Sequence, residues 1–290
     1  MSSIEWCDIT WNTLIGCSPS GPECDNCYAK IAANSPRLKQ FPQYDGIGEW
    51  KGKINYARTQ LLKPFENLAP KKIFCNSMGD THHPNQEIEN LDEVYAVAAL
   101  ASQHQFMFLT KHPGQMEKYH AGLTWERLYD ASLRFWNADD IPKRLYNQIL
   151  LRSYFQNLKF PLHNVWLGTS VGWQKSAWRM EILKRIPAKI HFLSCEPFIG
   201  PLTLDLTGIQ WVIMGGESGF GDEIRPANVE DMRSLIRQCR EQGVAPFLKQ
   251  LGRLPYEKGA RLYFKDKKGK NFAEFPPELN DLKVRMFPAY

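Results

Sequence analysis

A chain of 290 residues with 43% hydrophobic and 23% charged side chains sits near the globular average, so it can bury a sizeable core as one large α/β domain or two ordinary ones. No stretch approaches the ~18 uninterrupted apolar residues of a membrane span, and the N-terminal "MSSIEWCDIT" lacks the basic-then-apolar order of a signal peptide. A cytoplasmic protein with reduced thiols and no membrane partner is expected, and its net charge of +5 permits a polyanionic partner without requiring one.

In chain order, a first strand is expected just before the cysteine-rich "GCSPSGPECDNCYAK" (16–30). A stretch with Pro, Gly, Tyr and Lys at about 36–66 reads as an insertion. "KKIFCNSMGD" (71–80) is strand-like, "NQEIENLDEVYAVAALASQ" (85–103) helical, and "QFMFLTKHP" (105–113) a further strand. A second insertion, rich in Trp, Arg and Tyr, spans about 120–163; both insertions read as lids over a site. Then follow "NVWLGTSVG" (164–172), the short helix "SAWRMEILKRIP" (176–187), "KIHFLSCEP" (189–197) and "IQWVIMGGESG" (209–219). "NVEDMRSLIRQCREQG" (228–243) opens on an Asn cap, carries Glu230 and Asp231 near its start and stops at glycine. "APFLKQLG" (245–252) is the last strand, and about 253–290 forms a C-terminal cap, with a hairpin or extended segment at 261–288. Its lysines at 265–270 read as a solvated turn or a phosphate-contacting patch.

Short, continuously apolar strands suit a parallel sheet buried on both faces. Their alternation with helices predicts an α/β fold, first a full or partial (β/α) barrel and second a doubly wound sheet, in a single domain. In such a barrel the reactive groups gather at the C-terminal ends of the strands. Those ends here carry Cys17, Cys24 and Cys27; Ser77, Gly79 and Asp80; Lys111; Ser170; Glu196; Gly215, Gly216 and Glu217; and Lys249 with Gln250. The glycines of "MGGESG" serve a tight turn or let a ligand approach the backbone. His82 and His83, before Pro84, are loop residues or metal ligands, whereas Cys75, Cys195 and Cys239 read as small buried hydrophobes.

Three of the seven cysteines lie within eleven residues, spaced Cys17-x6-Cys24-x2-Cys27. A reducing compartment disfavours a disulfide staple. A structural zinc site wants four ligands, and Cys7 is available as the fourth. Three thiolates alone suit a [4Fe–4S] cluster that leaves one iron open.

This arrangement, after the first strand of an α/β barrel, resembles the radical S-adenosylmethionine superfamily, although the common first gap there is three residues. Together "IEWCDITWN", "NSMGD", "FLTKHP", "VWLGTSV", "FLSCEPFIGPL", "WVIMGGESG", "PFLKQLG" and the tail from "KGKNFAEF" onward resemble the phage-associated three-cysteine-motif proteins, a radical-SAM-like family. Cys7 stands where that family more often has a polar residue that is not cysteine.

The resemblance implies a barrel of the radical-SAM type, with Cys17, Cys24 and Cys27 holding the cluster, S-adenosylmethionine bound at its open iron, and an electron donor as partner. Ser77, Gly79 and Asp80 would meet the methionine amino group, Ser170 the ribose or carboxylate, and Gly215 and Gly216 the adenine. Lys111, Glu196, Glu217 and Lys249 are left for substrate contact or proton transfer. A nucleic acid substrate is suggested by the phage association and by Trp125, Phe135 and Trp136 beside Arg127, Arg134 and Arg144, an aromatic and basic set suited to an extruded base. The same stretch also reads as an amphipathic helix with its aromatics in the core. Two rivals stand beside this reading: a non-catalytic nucleic-acid-binding protein with a zinc site of Cys7, Cys17, Cys24 and Cys27, and an iron–sulfur enzyme acting on a small metabolite or peptide, with or without a companion protein.

Overall fold

The computed structural model describes residues 4–136, 148–219 and 223–289. Strands β1 (Ile9–Thr10), β2 (Leu14–Ile15), β3 (Asn55–Tyr56), β4 (Lys72–Cys75), β5 (Gln105–Thr110), β6 (Val165–Ser170), β7 (Ile190–Cys195), β8 (Trp211–Gly215), β9 (Ala227–Asn228), β10 (Ala245–Gln250), β11 (Pro255–Glu257) and β12 (Ala260–Arg261) alternate with helices α1 (Tyr28–Ala33), α2 (Pro36–Lys39), α3 (Ile88–Leu100), α4 (Pro113–Ala121), α5 (Trp125–Trp136), α6 (Gln148–Gln156), α7 (Trp178–Leu183) and α8 (Val229–Glu241). The main sheet has seven strands in the order β1-β4-β5-β6-β7-β8-β10, which follows the chain. This is a mixed α/β protein with the parallel strand order of a partial (β/α) barrel. The six apolar runs from 71 to 252 each contain one of its strands. The chain groups into two units, 1–18 with 29–167 and 185–189, and 19–28 with 168–184 and 190–290.

In the first unit β4 is the hub, paired in parallel with β1 (Ile9 opposite Ile73) and with β5 (Cys75 opposite Phe108). Ile73, Phe106, Met107 and Phe108 are fully buried, which explains why these strands read as unbroken apolar runs rather than alternating ones. Helix α3 departs from a one-faced amphipathic pattern: all residues from Leu91 to Ala99 are buried. Such all-round burial requires cover on more than one side. Part of that cover comes from α5, whose Leu128, Ala131 and Phe135 are at most 2% exposed. Because α3 buries Asp92 and Glu93, α5 must also bring countercharge. Arg127 donates to Asp92 at 2.6 Å and Arg134 to Glu93 at 2.8 Å.

Of the two readings of this stretch, the amphipathic helix with its aromatics in the core holds for the described part: residues 125–135 form a second helical layer on α3, and Phe135 is a core residue, not a stacking platform. Arg127 and Arg134 are committed to α3, and Trp125 is half-buried; Arg144 and the Trp136 side chain lie outside the described residues. The 36–66 insertion does border a strand-end residue, for Gly52 N–H donates to Cys17 C=O at 2.9 Å.

In the second unit β7, β8 and β10 run parallel, with Phe192 and Ala245 both level with Trp211. A register shift between Leu248 and Gln250 leaves Lys249 as the extra residue of a bulge. Helix α8 is amphipathic as expected: Val229, Met232, Leu235, Ile236 and Cys239 are buried, and the Asn228 side chain accepts from Glu230 N–H at its start. The tail caps the free edge of β10, where Leu248 N–H donates to Val284 C=O and Met286 N–H to Pro246 C=O. Covering an edge strand in this way removes a template for unwanted pairing. The hairpin is β11–β12, slightly ahead of its expected position. The lysines at 265–270 ride a turn whose backbone N–H groups at Lys268, Lys270 and Asn271 donate to Asp266.

Phe135→Ala is expected to lower the unfolding free energy by about 3–4 kcal/mol through the cavity it leaves, read from the urea midpoint at unchanged slope. A loss below about 1 kcal/mol would return the ring to the surface role.

Candidate functional site

In the first unit the strand ends of β4 and β5 meet the turn that follows β2. Gly16 N–H donates to Met78 C=O at 3.1 Å, and Gly16 bridges Gly79. The approach is so close that a Cβ on Gly79 would sit 2.4 Å from Leu14 O, so backbone packing explains this glycine. Asn12 Oδ1 accepts from Ser77 N–H and Oγ and from Met78 N–H, holding the "NSMGD" turn. Asp80 is buried and committed within the protein: Oδ1 accepts from Thr110 Oγ1 at 2.6 Å and His82 N–H at 3.0 Å, and Oδ2 from Lys111 N–H at 2.8 Å. It clasps the ends of β4 and β5. Lys111 is half-buried at the end of β5, and its ammonium has no ion-pair partner among the described residues.

Cys17 is half-exposed on this turn, with its thiol toward Ser18 C=O at 3.4 Å. His83 holds the next residue. Its Nδ1 accepts from Asn85 N–H, leaving Nε2–H to donate to Ser18 Oγ at 2.7 Å. His82 lies in an aromatic nest, with Nε2 3.1 Å from Tyr95 OH, which in turn is 3.0 Å from His120 Nε2. Burial pushes the His82 imidazole well below its usual range and His120 to about 4, so both are neutral at physiological pH. Cys7 is buried before β1, where Asp8 N–H bonds Lys72 C=O at the start of β4, whereas Cys17 follows the Gly16–Gly79 bridge beyond its end. The four residues of β4, roughly 13 Å of strand, therefore lie between the levels of Cys7 and Cys17.

In the second unit Cys24 and Cys27 are free and half-exposed. Ser20 N–H points at Cys24 Sγ at 3.5 Å, with Ser20 Oγ 3.8 Å from the same sulfur. Two arginines that no sequence motif singled out grip the segment between them. Arg179 on α7 donates to Glu23 at 2.9 Å, to Ser20 C=O at 3.0 Å and to Ser170 C=O at 3.1 Å. Arg225 donates to Pro22 C=O at 2.7 Å, pairs with Asp25 at 3.3 Å, and forms a short ion pair with Glu217.

Glu217, expected as a substrate or proton-transfer residue, is placed as the anchor of that second grip. It also accepts from Arg225 N–H at 2.8 Å and from Asn26 Nδ2 at 2.9 Å, and Asn26 directly precedes Cys27. Burial pushes its carboxyl up, but the Arg225 guanidinium and N–H and the Asn26 amide outweigh this and hold it below its usual 4.5. Glu196 and Lys249 pair with each other at 2.6 Å, the β10 bulge turning Lys249 toward Glu196. Gly215 lies against this pair, where an added Cβ would meet Glu196 Oε2 at 3.2 Å. At Gly216 a Cβ would fall 2.1 Å from Leu251 O, so close backbone approach, not a positive φ, demands glycine there. Ser170 is buried at the end of β6. Cys75, Cys195 and Cys239 are core thiols as expected, and burial pushes each of their pKa values up.

The donor set fits an iron–sulfur cluster in kind: three half-exposed thiols outside any disulfide, one of them facing a backbone N–H as cluster sulfurs commonly do. Among the described residues no three His, Cys, Asp or Glu side chains are gathered to hold a metal ion. Thiolate sites are rarely preformed without metal, because binding the metal is part of folding the site.

Glu217→Gln keeps the shape and removes the charge of the Arg225 anchor, and should cost about 2 kcal/mol at pH 7. A carboxyl held below 4.5 contributes fully above that value and loses its contribution as pH falls through the lowered one. The stability gap to wild type is therefore expected to close in acid, measured by urea unfolding at pH 7 and below pH 4.5. A gap independent of pH would remove the charge from the argument.

No helix among the described residues is long and apolar enough to cross a membrane. Comparisons with curated proteins and with solved structures return no match. The sequence matches the DUF5131 family, described as proteins of unknown function, over residues 1–276. With nearly its whole length matched, the chain belongs to the DUF5131 family.

Proposed function

We propose that the protein is an iron–sulfur enzyme of the radical S-adenosylmethionine type, with Cys17, Cys24 and Cys27 as ligands of a [4Fe–4S] cluster. The partition of the cysteines carries this reading. These three are half-exposed within eleven residues, while Cys7, Cys75, Cys195 and Cys239 are buried. Held by these cysteines, a cluster with an open iron would pass on one electron from a reducing partner, splitting S-adenosylmethionine into methionine and a 5′-deoxyadenosyl radical.

The chain's own residues position the reactants. Lys111, a half-buried cation without an ion-pair partner among the described residues, suits the carboxylate of a methionine moiety. Ser77 and Gly79 lie half-exposed at the end of β4, in the same unit as Lys111. In the second unit the Glu196–Lys249 pair sets an acceptor and a donor side by side for substrate, next to Gly215. Ser170, at the end of β6, is left for the ribose or carboxylate. An electron donor is the implied partner. The reading assigns an organic substrate without extending to nucleic acid, because Phe135, Arg127 and Arg134 are taken up by packing and ion pairs.

After strictly anaerobic purification the protein should carry about four irons and four sulfides per chain. Cys24→Ala should lose them, Cys7→Ser should keep them, and reduction with S-adenosylmethionine should release 5′-deoxyadenosine. About one zinc without sulfide would replace this reading by a structural site.

A further inference from the structure

The ion pair of Arg179 and Glu23 is nearly sealed from water, its side chains 3% and 0% exposed. It is also incompletely satisfied: Glu23 Oε2 and Arg179 Nε are buried with no hydrogen-bond partner among the described residues. As a source of stability such a pair is poor, since desolvating two charges offsets most of their attraction and apolar side chains of similar volume often do as well or better. Buried groups left unsatisfied in a folded protein call for another explanation.

The remaining bonds of Arg179 supply one. Its guanidinium reaches Ser20 C=O at 3.0 Å and Glu23 at 2.9 Å, two residues of the gap between Cys17 and Cys24. Ser20 in turn directs its N–H to Cys24 Sγ, and Glu23 directly precedes Cys24. A third bond, to Ser170 C=O, ties the same guanidinium to the end of β6. The long first gap thus contains its own anchor points, and a rigid forked cation holds both at once.

We propose that Arg179 is a positioning residue for Cys24: with Glu23 it holds residue 20 so that a backbone N–H stays on the Cys24 sulfur. This rests on the iron–sulfur reading above. A hydrogen bond to a cluster sulfur favours the reduced, more negative state and raises the reduction potential, and residues behind the ligands typically govern metal retention.

The test uses full-length protein reconstituted anaerobically with ferrous iron and sulfide, comparing wild type with Arg179→Gln, Arg179→Lys and Glu23→Gln. Far-UV circular dichroism checks the fold, a chelator challenge measures iron retention, and a redox titration followed by electron paramagnetic resonance gives the midpoint potential. Arg179→Gln is expected to retain iron about 10-fold less well and to show a more negative midpoint. Arg179→Lys should recover part of the retention by restoring the charge beside Glu23, but not the potential, because one ammonium cannot hold Glu23 and Ser20 C=O together. Folded variants that match wild type in both retention and potential overturn the assignment. If Arg179→Gln does not fold, Glu23→Gln takes its place: a smaller shift in the same direction supports the proposal, and wild-type values overturn it. A wild type that takes up no iron and sulfide overturns the iron–sulfur reading itself, an outcome distinct from a loaded wild type with indifferent variants.

Discussion

Five carboxylates in the described residues are withdrawn from water, and much of the architecture consists of the donors they require. Asp80, Asp92, Glu93, Glu23 and Glu217 are each less than 10% exposed. A buried carboxylate is tolerated only when hydrogen-bonded or paired, so each fixes the backbone around it. Asp80 ties the ends of β4 and β5 through Thr110 and Lys111. Asp92 and Glu93 bring Arg127 and Arg134, and with them α5, onto α3. Glu23 and Glu217 bring Arg179 and Arg225 onto the segment that carries Cys24 and Cys27. The same rule serves strand ends, helix packing and the cysteine loop.

The cysteine segment shows why such anchoring is needed. Between Cys17 and α1 the regular structure is a single 3₁₀ turn, Pro22–Cys24, too short to set side-chain positions by itself. Its backbone carbonyls at Ser20 and Pro22 are instead bonded by arginines from α7 and from the segment before β9. Rigid guanidiniums bind several acceptors in one geometry, which turns an irregular loop into a defined surface for two half-exposed thiols. Glycine does comparable work at the strand ends, where Gly79 and Gly216 admit backbone oxygens that any side chain would displace.

Where the chemistry of a strand is local, the amino-acid order made it legible. Runs such as "QFMFLT" and "IHFLSC" are buried on both faces, and both became strands of the main sheet. Helix α8 announced its cap, its acidic first turn and its glycine stop within sixteen residues. Cys17, Cys24 and Cys27 stood out through spacing alone, and their exposure sets them apart from the four core thiols. The residues missed were Glu23, Arg179 and Arg225. Their partners lie 156 and 203 residues away along the chain, for Arg179 with Glu23 and Arg225 with Pro22. No window on the sequence contains both members of either pair.

By itself, then, the sequence determined the succession of strands and helices and which positions carry thiols, hydroxyls and charges at strand ends, because these follow from local apolar periodicity and residue type. Only the tertiary structure decided which charges pair. Glu217 found Arg225, Glu196 found Lys249 across a bulge, and the aromatic and basic stretch from Trp125 to Phe135 was drawn onto α3. The reason is physical: burial makes a charge seek its partner in space, and proximity in space is set by the fold, not by distance along the chain.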